Sequence, residues 1–254
     1  MKLIATFLAS LSFLSRIPIP YDLCEKYPDC WSKIPRWFTP VGLFLGLLAG
    51  SFGLVLSFWI PPLLLAALVL GFQVLLTGCI HEDGLADLAD SAGRFELEKK
   101  LEIMRDSRLG TYGVLAIVLS SLIRFGSISA LAVYPKLLFV SLFLSVAFSR
   151  TAALPLMRAL AFLERSGEKG TGIGNSLEAP TTFRCSLHWV LLTLLASLLL
   201  SFWHALLLSV SSAFVVGVFY LYFKRNFNGI TGDCLGASIL TVECFVLILC
   251  SLAL

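Results

Sequence analysis

Carboxylates at helical spacing are the most chemically suggestive feature of this sequence. In His81-Glu82-Asp83-Gly84-Leu85-Ala86-Asp87-Leu88-Ala89-Asp90, three aspartates fall at i, i+4 and i+7. On a helix these positions form one narrow stripe, and Glu82 adjoins it. The residues between are Gly, Leu and Ala, so no basic side chain neutralises the stripe from within. Crowded carboxylates repel one another unless a cation sits among them. Hard divalent ions take oxygen cages, and Mg²⁺ commonly bridges carboxylates to substrate phosphates. Two such ions clamp the entering and leaving oxygens of a phosphoryl group. Glu82, Asp83, Asp87 and Asp90 are therefore candidate Mg²⁺ ligands, and a stripe carboxylate (Asp83, Asp87) or His81 is a candidate proton acceptor. The plain competing reading is a solvated acidic face on a helix beside the membrane.

Two other clusters could meet phosphate. Arg105 and Arg108, one turn apart, could grip phosphate oxygens in bidentate fashion, with Asp106 between them as a further metal ligand or a partner for an arginine. Asn226-Phe227-Asn228-Gly229-Ile230-Thr231-Gly232-Asp233-Cys234-Leu235-Gly236 opens the last apolar run, where a helix N-terminus favours an anion. Thr231 and Asp233 are the polar candidates there, and Asp233 reads equally well as a simple N-cap.

These residues need a scaffold, and composition decides its class. Of 254 residues, 58% are hydrophobic and only 14% charged, against roughly 25% charged in an ordinary soluble domain. Mean hydropathy is +0.91. So few charges cannot cover so much apolar surface in water, which excludes a soluble enzyme, a disordered chain and a nucleic-acid-binding module. An all-α, polytopic membrane protein remains. Seven apolar runs, near 38–60, 61–80, 112–134, 136–157, 187–203, 205–223 and 235–254, approach the length needed to cross about 30 Å of hydrocarbon. The N-terminal run to Leu14 is too short to span and is expected to lie in the interface or re-enter. Breaks are expected at Pro61-Pro62, Pro135 and His204. No linker divides the chain, so residues 1–254 are expected to form one domain.

Short turns alternate with long polar connections at 1–37, 81–111, 158–186 and 224–234, which places the two kinds on opposite faces. The polar connections carry 16 of the 19 Lys and Arg, and 15 of the 16 Asp and Glu. By the positive-inside rule this face is cytoplasmic, with the N-terminus inside and the C-terminus outside. Three charges fall inside runs. Arg150 and Glu243, each about 12 Å from the polar face by helical rise, are expected to pair, while Arg124 lies nearer the middle. The seven cysteines show no CxxC or Cys/His spacing, so neither a disulfide framework nor a zinc site is expected. Cys79, Cys244 and Cys250 read as small core residues, His188 and His204 as interfacial ones, and Gly167–Gly174 as a flexible loop without a P-loop pattern.

With these residues assembled, the chain resembles the adenosylcobinamide-GDP ribazoletransferase (cobalamin 5′-phosphate synthase) family. The resemblance runs through Phe13-Leu14-Ser15-Arg16-Ile17-Pro18-Ile19-Pro20, Phe38-Thr39-Pro40-Val41-Gly42, Thr77-Gly78 with His81 to Asp90, Arg105 to Gly113, and Thr231 to Ala237. Cys79 and Ser91 stand where that family commonly has glycine, and residues 160–180 depart from its pattern. The resemblance implies an integral membrane enzyme that needs Mg²⁺, joins adenosylcobinamide-GDP to α-ribazole or its 5′-phosphate, and releases GMP. Glu82, Asp83, Asp87 and Asp90 would serve the metal, Arg105 and Arg108 the diphosphate, and Asp106 and Asp233 would be secondary ligands. The location implied is the inner (plasma) membrane. Membrane lipid is an expected partner, a homo-oligomer or other corrinoid-pathway enzymes are further candidates, and nucleic acid is not one. A phosphotransferase acting on CDP-alcohols would use similar chemistry, but its Asp-Gly-x-x-Ala-Arg signature is absent, Asp87 following Ala86 here. A cation or corrinoid transporter would place its ionisable groups near the midplane within broken helices.

Overall fold

The computed structural model describes residues 2–19, 26–27, 29–106, 108–163 and 177–252; the glycine-rich stretch 167–174 lies outside them. Among the described residues the chain forms α1 (Lys2–Leu14), a 3-10 turn (Ile34–Trp37), α2 (Phe38–Leu56), α3 (Pro62–Thr77), α4 (Ile80–Ser91), α5 (Leu97–Ile103), α6 (Thr111–Leu131), α7 (Pro135–Ala159), α8 (Thr182–Leu199), α9 (Phe202–Asn226) and α10 (Gly232–Leu252). Among the described residues six helices are long and apolar enough to cross a membrane, counting the 3-10 turn with α2, and the bent pair α3–α4 makes a seventh if taken as one span. The chain is an all-α, multi-pass membrane protein.

Proline and small-residue chemistry set the ends. Pro62 and Pro135 sit in the first turns of α3 and α7, where a missing N–H costs nothing. The break expected at His204 falls instead at Leu200-Ser201. Ser201 caps α9 by accepting a hydrogen bond from the His204 backbone N–H, so His204 belongs to the first turn of α9.

α7 and α10 form the centre of the bundle: 78% of the most apolar window of α7 is buried, against 11% for α8 on the periphery. Packing is close because α2 presents glycines to α7. A Cβ on Gly46 would lie 2.5 Å from the Phe143 carbonyl oxygen, so the two backbones meet as small-residue faces do in membranes.

The run expected as one span at 61–80 is broken. Gly78 (φ 68°) and Cys79 (φ 62°) are both left-handed, and α4 leaves α3 at 86°. Cys79 is exposed, not a core residue as its apolar setting suggested; Cys244 and Cys250 are buried. A Cβ in the left-handed region costs roughly 1–2 kcal/mol, partly offset by the greater chain entropy of glycine when unfolded. Cys79→Gly is therefore expected to raise the thermal midpoint in detergent by about 2 °C, and a lowered midpoint would contradict this account of the bend.

Described parts of the long connections meet at one end. The Arg16 N–H donates to Leu76 O (2.8 Å), and Leu163 and Ile230 are tied by Leu163 N–H to Ile230 O (2.9 Å) beside the Ile230 N–H to Ala161 O bond (2.9 Å). Lys100, only 3% exposed, donates from Nζ to Asn226 Oδ1 at 2.6 Å. Thus α4 and α5 lie across the end at which α6 and α10 begin.

Candidate active site at the polar end of the bundle

Helix α4 has two chemically different faces. At 3.6 residues per turn, Asp83, Asp87 and Asp90 project together, while Glu82 lies about 100° away and His81 nearly opposite. The structure follows this wheel: Asp83 is exposed and Asp87 and Asp90 are half-buried, whereas His81 and Glu82 are buried.

Close approach of α10 completes the outer face. A Cβ on Gly84 would lie 2.8 Å from the Asp233 carbonyl oxygen, so α4 rests directly on the first turn of α10. Burial, and then the charges of Asp83, Asp233 and Asp90, push the Asp87 carboxyl up from 3.8 to about 7. Asp233 thus joins the cluster. It is not the cap of its helix. Thr231 fills that role, accepting the Cys234 N–H at 3.2 Å, so its hydroxyl is engaged in the helix start.

Asp90 ties the cluster to α6. Its Oδ2 accepts the Gly110 N–H (2.7 Å) and its Oδ1 the Gly113 N–H (2.8 Å). Glycine is required at both positions because a Cβ would strike this carboxylate. A carboxylate has about four lone-pair sites, so each Asp90 oxygen keeps one.

Two of the site expectations change. Glu82 does not face the stripe: its Oε1 accepts from Arg124 Nη2 at 2.8 Å, both side chains being buried. Its wheel position turns it inward, where Arg124 needs a counter-charge. His81, 4% exposed, also faces inward, and its Nε2 has no hydrogen-bond partner among the described residues. It is not placed to take a proton at the outer face. Arg108 chelates Asp106, with Nε to Oδ2 at 2.9 Å and Nη2 to Oδ2 at 2.6 Å; this holds the Asp106 carboxyl below its ordinary range. Asp106 is thus a partner for an arginine, the second of its two readings. Arg105 also makes interactions within the protein.

Beneath α4 lies a buried ionic network. Arg150 pairs with Glu243 as expected. The sequence did not reveal that Glu243 also faces Arg124 (3.8 Å) and accepts from Gln73 Nε2 (3.4 Å). These groups, with His81 and Glu82, line a cavity of about 10 Å³, room for roughly one water. Two guanidiniums against two carboxylates leave the bundle interior neutral, which is what a low-dielectric medium demands. The depth of Arg124 was the available signal for a second pair.

The outer donors fit a hard divalent ion in kind, since all are carboxylate oxygens. Among the described residues no three His, Cys, Asp or Glu side chains already enclose an ion. A raised carboxyl pKa has a measurable signature. Asp87 keeps its proton in the fold where the unfolded chain has lost it, so its stabilising contribution is complete below about pH 3.8 and is lost as pH rises through about 7. With chelator present, the thermal midpoint of Asp87→Asn minus that of the parent is expected to grow between about pH 4 and pH 7 and then level off; a difference independent of pH would contradict the clustering.

The chain matches the family model of cobalamin-5-phosphate synthase over residues 6–251. It is similar to adenosylcobinamide-GDP ribazoletransferases from Shewanella piezotolerans (33% identical over 251 residues, covering 96% of this chain and 94% of the relative) and Rhizobium johnstonii (35% over 254 residues, 96% and 94%). The protein of that name from Vibrio cholerae is 33% identical over 235 residues, covering 91% and 87%. No solved structure matches significantly.

Proposed function

This chain belongs to the cobalamin-5-phosphate synthase family, and from that premise we infer how its polar end transfers a corrinoid phosphate. It is a transferase of cobalamin synthesis, joining adenosylcobinamide-GDP to α-ribazole or its 5′-phosphate. The observation that carries the mechanistic reading is the meeting of Asp83, Asp87 and Asp90 on α4 with Asp233 on α10.

In this reading a ribose hydroxyl of the acceptor attacks the phosphorus next to the aminopropanol arm. A new phosphoester bond forms, the anhydride bond to the second phosphorus breaks, and GMP leaves. Asp83, Asp87, Asp90 and Asp233 would hold Mg²⁺, which would supply charge neutralisation at the diphosphate. A stripe carboxylate, Asp83 or Asp87, takes the hydroxyl proton. Asp90, fixed by two backbone N–H groups, keeps α4 in register with α6. Thr231 and the glycines around it set where α10 begins, and so where Asp233 stands. Positioning and charge supply most of the acceleration in phosphoryl transfer.

We place the polar end in the cytoplasm and the chain in the inner membrane. The support is the charge bias: the short turns of the opposite end carry only Lys136. Exposed Leu115, Leu119 and Leu122 on α6 and Leu194 and Leu198 on α8 face lipid in this arrangement.

The test is product analysis. Purified protein with adenosylcobinamide-GDP, α-ribazole and Mg²⁺ is expected to yield GMP and adenosylcobalamin in equal amounts, and no product from CDP-diacylglycerol. Absence of GMP, or turnover of the lipid substrate, would overturn the assignment.

A further inference from the structure

Arg16 belongs to the Phe13–Pro20 motif, to which the reaction above gives no role. It follows α1, and its backbone N–H is fixed to Leu76 O at 2.8 Å, near the end of α3. Its side chain runs directly over Gly78, where any Cβ would overlap the Arg16 Cγ, Cδ and Nε atoms. The aliphatic stem is therefore held in place at the bend that begins α4. The residue is exposed, and among the described residues its guanidinium has no hydrogen-bond or ion-pair partner.

The surroundings of that guanidinium are specific. Cys79, Ile80 and Asp83 are the exposed residues of the bend and first turn of α4. Asp83 N–H donates to Cys79 O at 2.8 Å, so Asp83 stands just over one helical turn, about 6 Å along the axis, beyond the neighbour of Gly78. A carboxylate cluster alone repels a diphosphate. A substrate bridging the site needs cationic groups on the side away from the aspartates, and Arg108 is already chelated by Asp106. An arginine with an immobilised stem and an open planar fork suits phosphate oxygens.

We propose that Arg16 is a substrate-binding residue that grips the diphosphate of the GDP-linked corrinoid across the start of α4 from Asp83. The inference deepens the reading of the same site and rests on it. It also explains two features of the bend together. Glycine at 78 serves both the left-handed turn and the passage of the arginine stem.

The experiment compares parent, Arg16→Met and Arg16→Lys in detergent. Methionine keeps an unbranched stem over Gly78 without the charge, and thermal midpoints check that both variants fold. Arg16→Met is expected to raise KM for adenosylcobinamide-GDP about 30-fold, equivalent to about 2 kcal/mol at 1.4 kcal/mol per tenfold, with KM for unphosphorylated α-ribazole unchanged. Arg16→Lys should recover part of the loss. Stabilisation of the protein by magnesium pyrophosphate without acceptor, read as a thermal shift, should fall in Arg16→Met by the same order in midpoint concentration. If the parent releases no GMP, the functional reading fails. If the parent turns over while Arg16→Met keeps its corrinoid KM and its pyrophosphate response, or raises both KM values equally, the assignment of Arg16 is wrong.

Discussion

Asp83→Asn is expected to lower kcat/KM for GMP release by about 10³-fold, a loss of about 4 kcal/mol of transition-state stabilisation, with the thermal midpoint unchanged or slightly raised. Asp83 is the exposed member of the cluster, in the first turn of α4 and next to Asp87 in charge. Replacing its carboxylate by an amide keeps shape and removes one of four negative charges. The cation is then held less tightly, and charge building on the diphosphate is opposed less well. Mn²⁺ titration followed by electron paramagnetic resonance, free of substrate, should show weaker binding in parallel. Asp106→Asn is the contrasting variant. Its carboxylate serves the exposed Arg108, so a loss of under about tenfold is expected, in line with surface ion pairs. Near-normal turnover by Asp83→Asn, or equal losses in both variants, would reject the cluster as the reaction centre.

Glu243→Leu should be the most destabilising single change in the spans. It leaves Arg150 and Arg124 with one carboxylate, Glu82, between them, in surroundings where every one of these side chains is less than a tenth exposed. Removing one partner of a buried pair costs about 3–5 kcal/mol, because a charge is left uncompensated. The double variant Arg150→Leu/Glu243→Leu restores neutrality and retains the Arg124–Glu82 pair. Most of the lost stability is expected to return, since hydrophobic replacement of a whole buried pair is often neutral or favourable. Chemical denaturation of the three proteins in the same micelle would measure it. A double variant no more stable than Glu243→Leu would mean that packing, and not charge balance, sets the cost.

The sequence made much of this legible. Charge scarcity required lipid as solvent, and the alternation of bare turns with charged connections put the chemistry at one end. The pairing of Arg150 with Glu243 followed from equal depth in two spans, because an ion in hydrocarbon must find its opposite. The i, i+4, i+7 spacing placed Asp83, Asp87 and Asp90 on one face, and the wheel that did so already turned Glu82 away from it.

Other features belong to contacts between segments distant in the chain. Nothing local to residues 78 and 79 required consecutive left-handed residues and an 86° bend, since glycine and cysteine are tolerated in straight membrane helices. Asp233 lies 143 residues beyond Asp90 and joins it only because Gly84 lets α10 approach α4 at backbone distance.

What the chain determined by itself is therefore its solvent, where its long apolar runs lie, and which side chains share a helical face, since these depend on composition and on a period of 3.6 residues. Only the tertiary structure decided which faces meet: the inward pairing of Glu82 with Arg124, the fourth carboxylate from α10, and Arg16 laid across Gly78. Charge and shape act through space over a few ångströms, and position along the chain says little about which groups packing brings within that range.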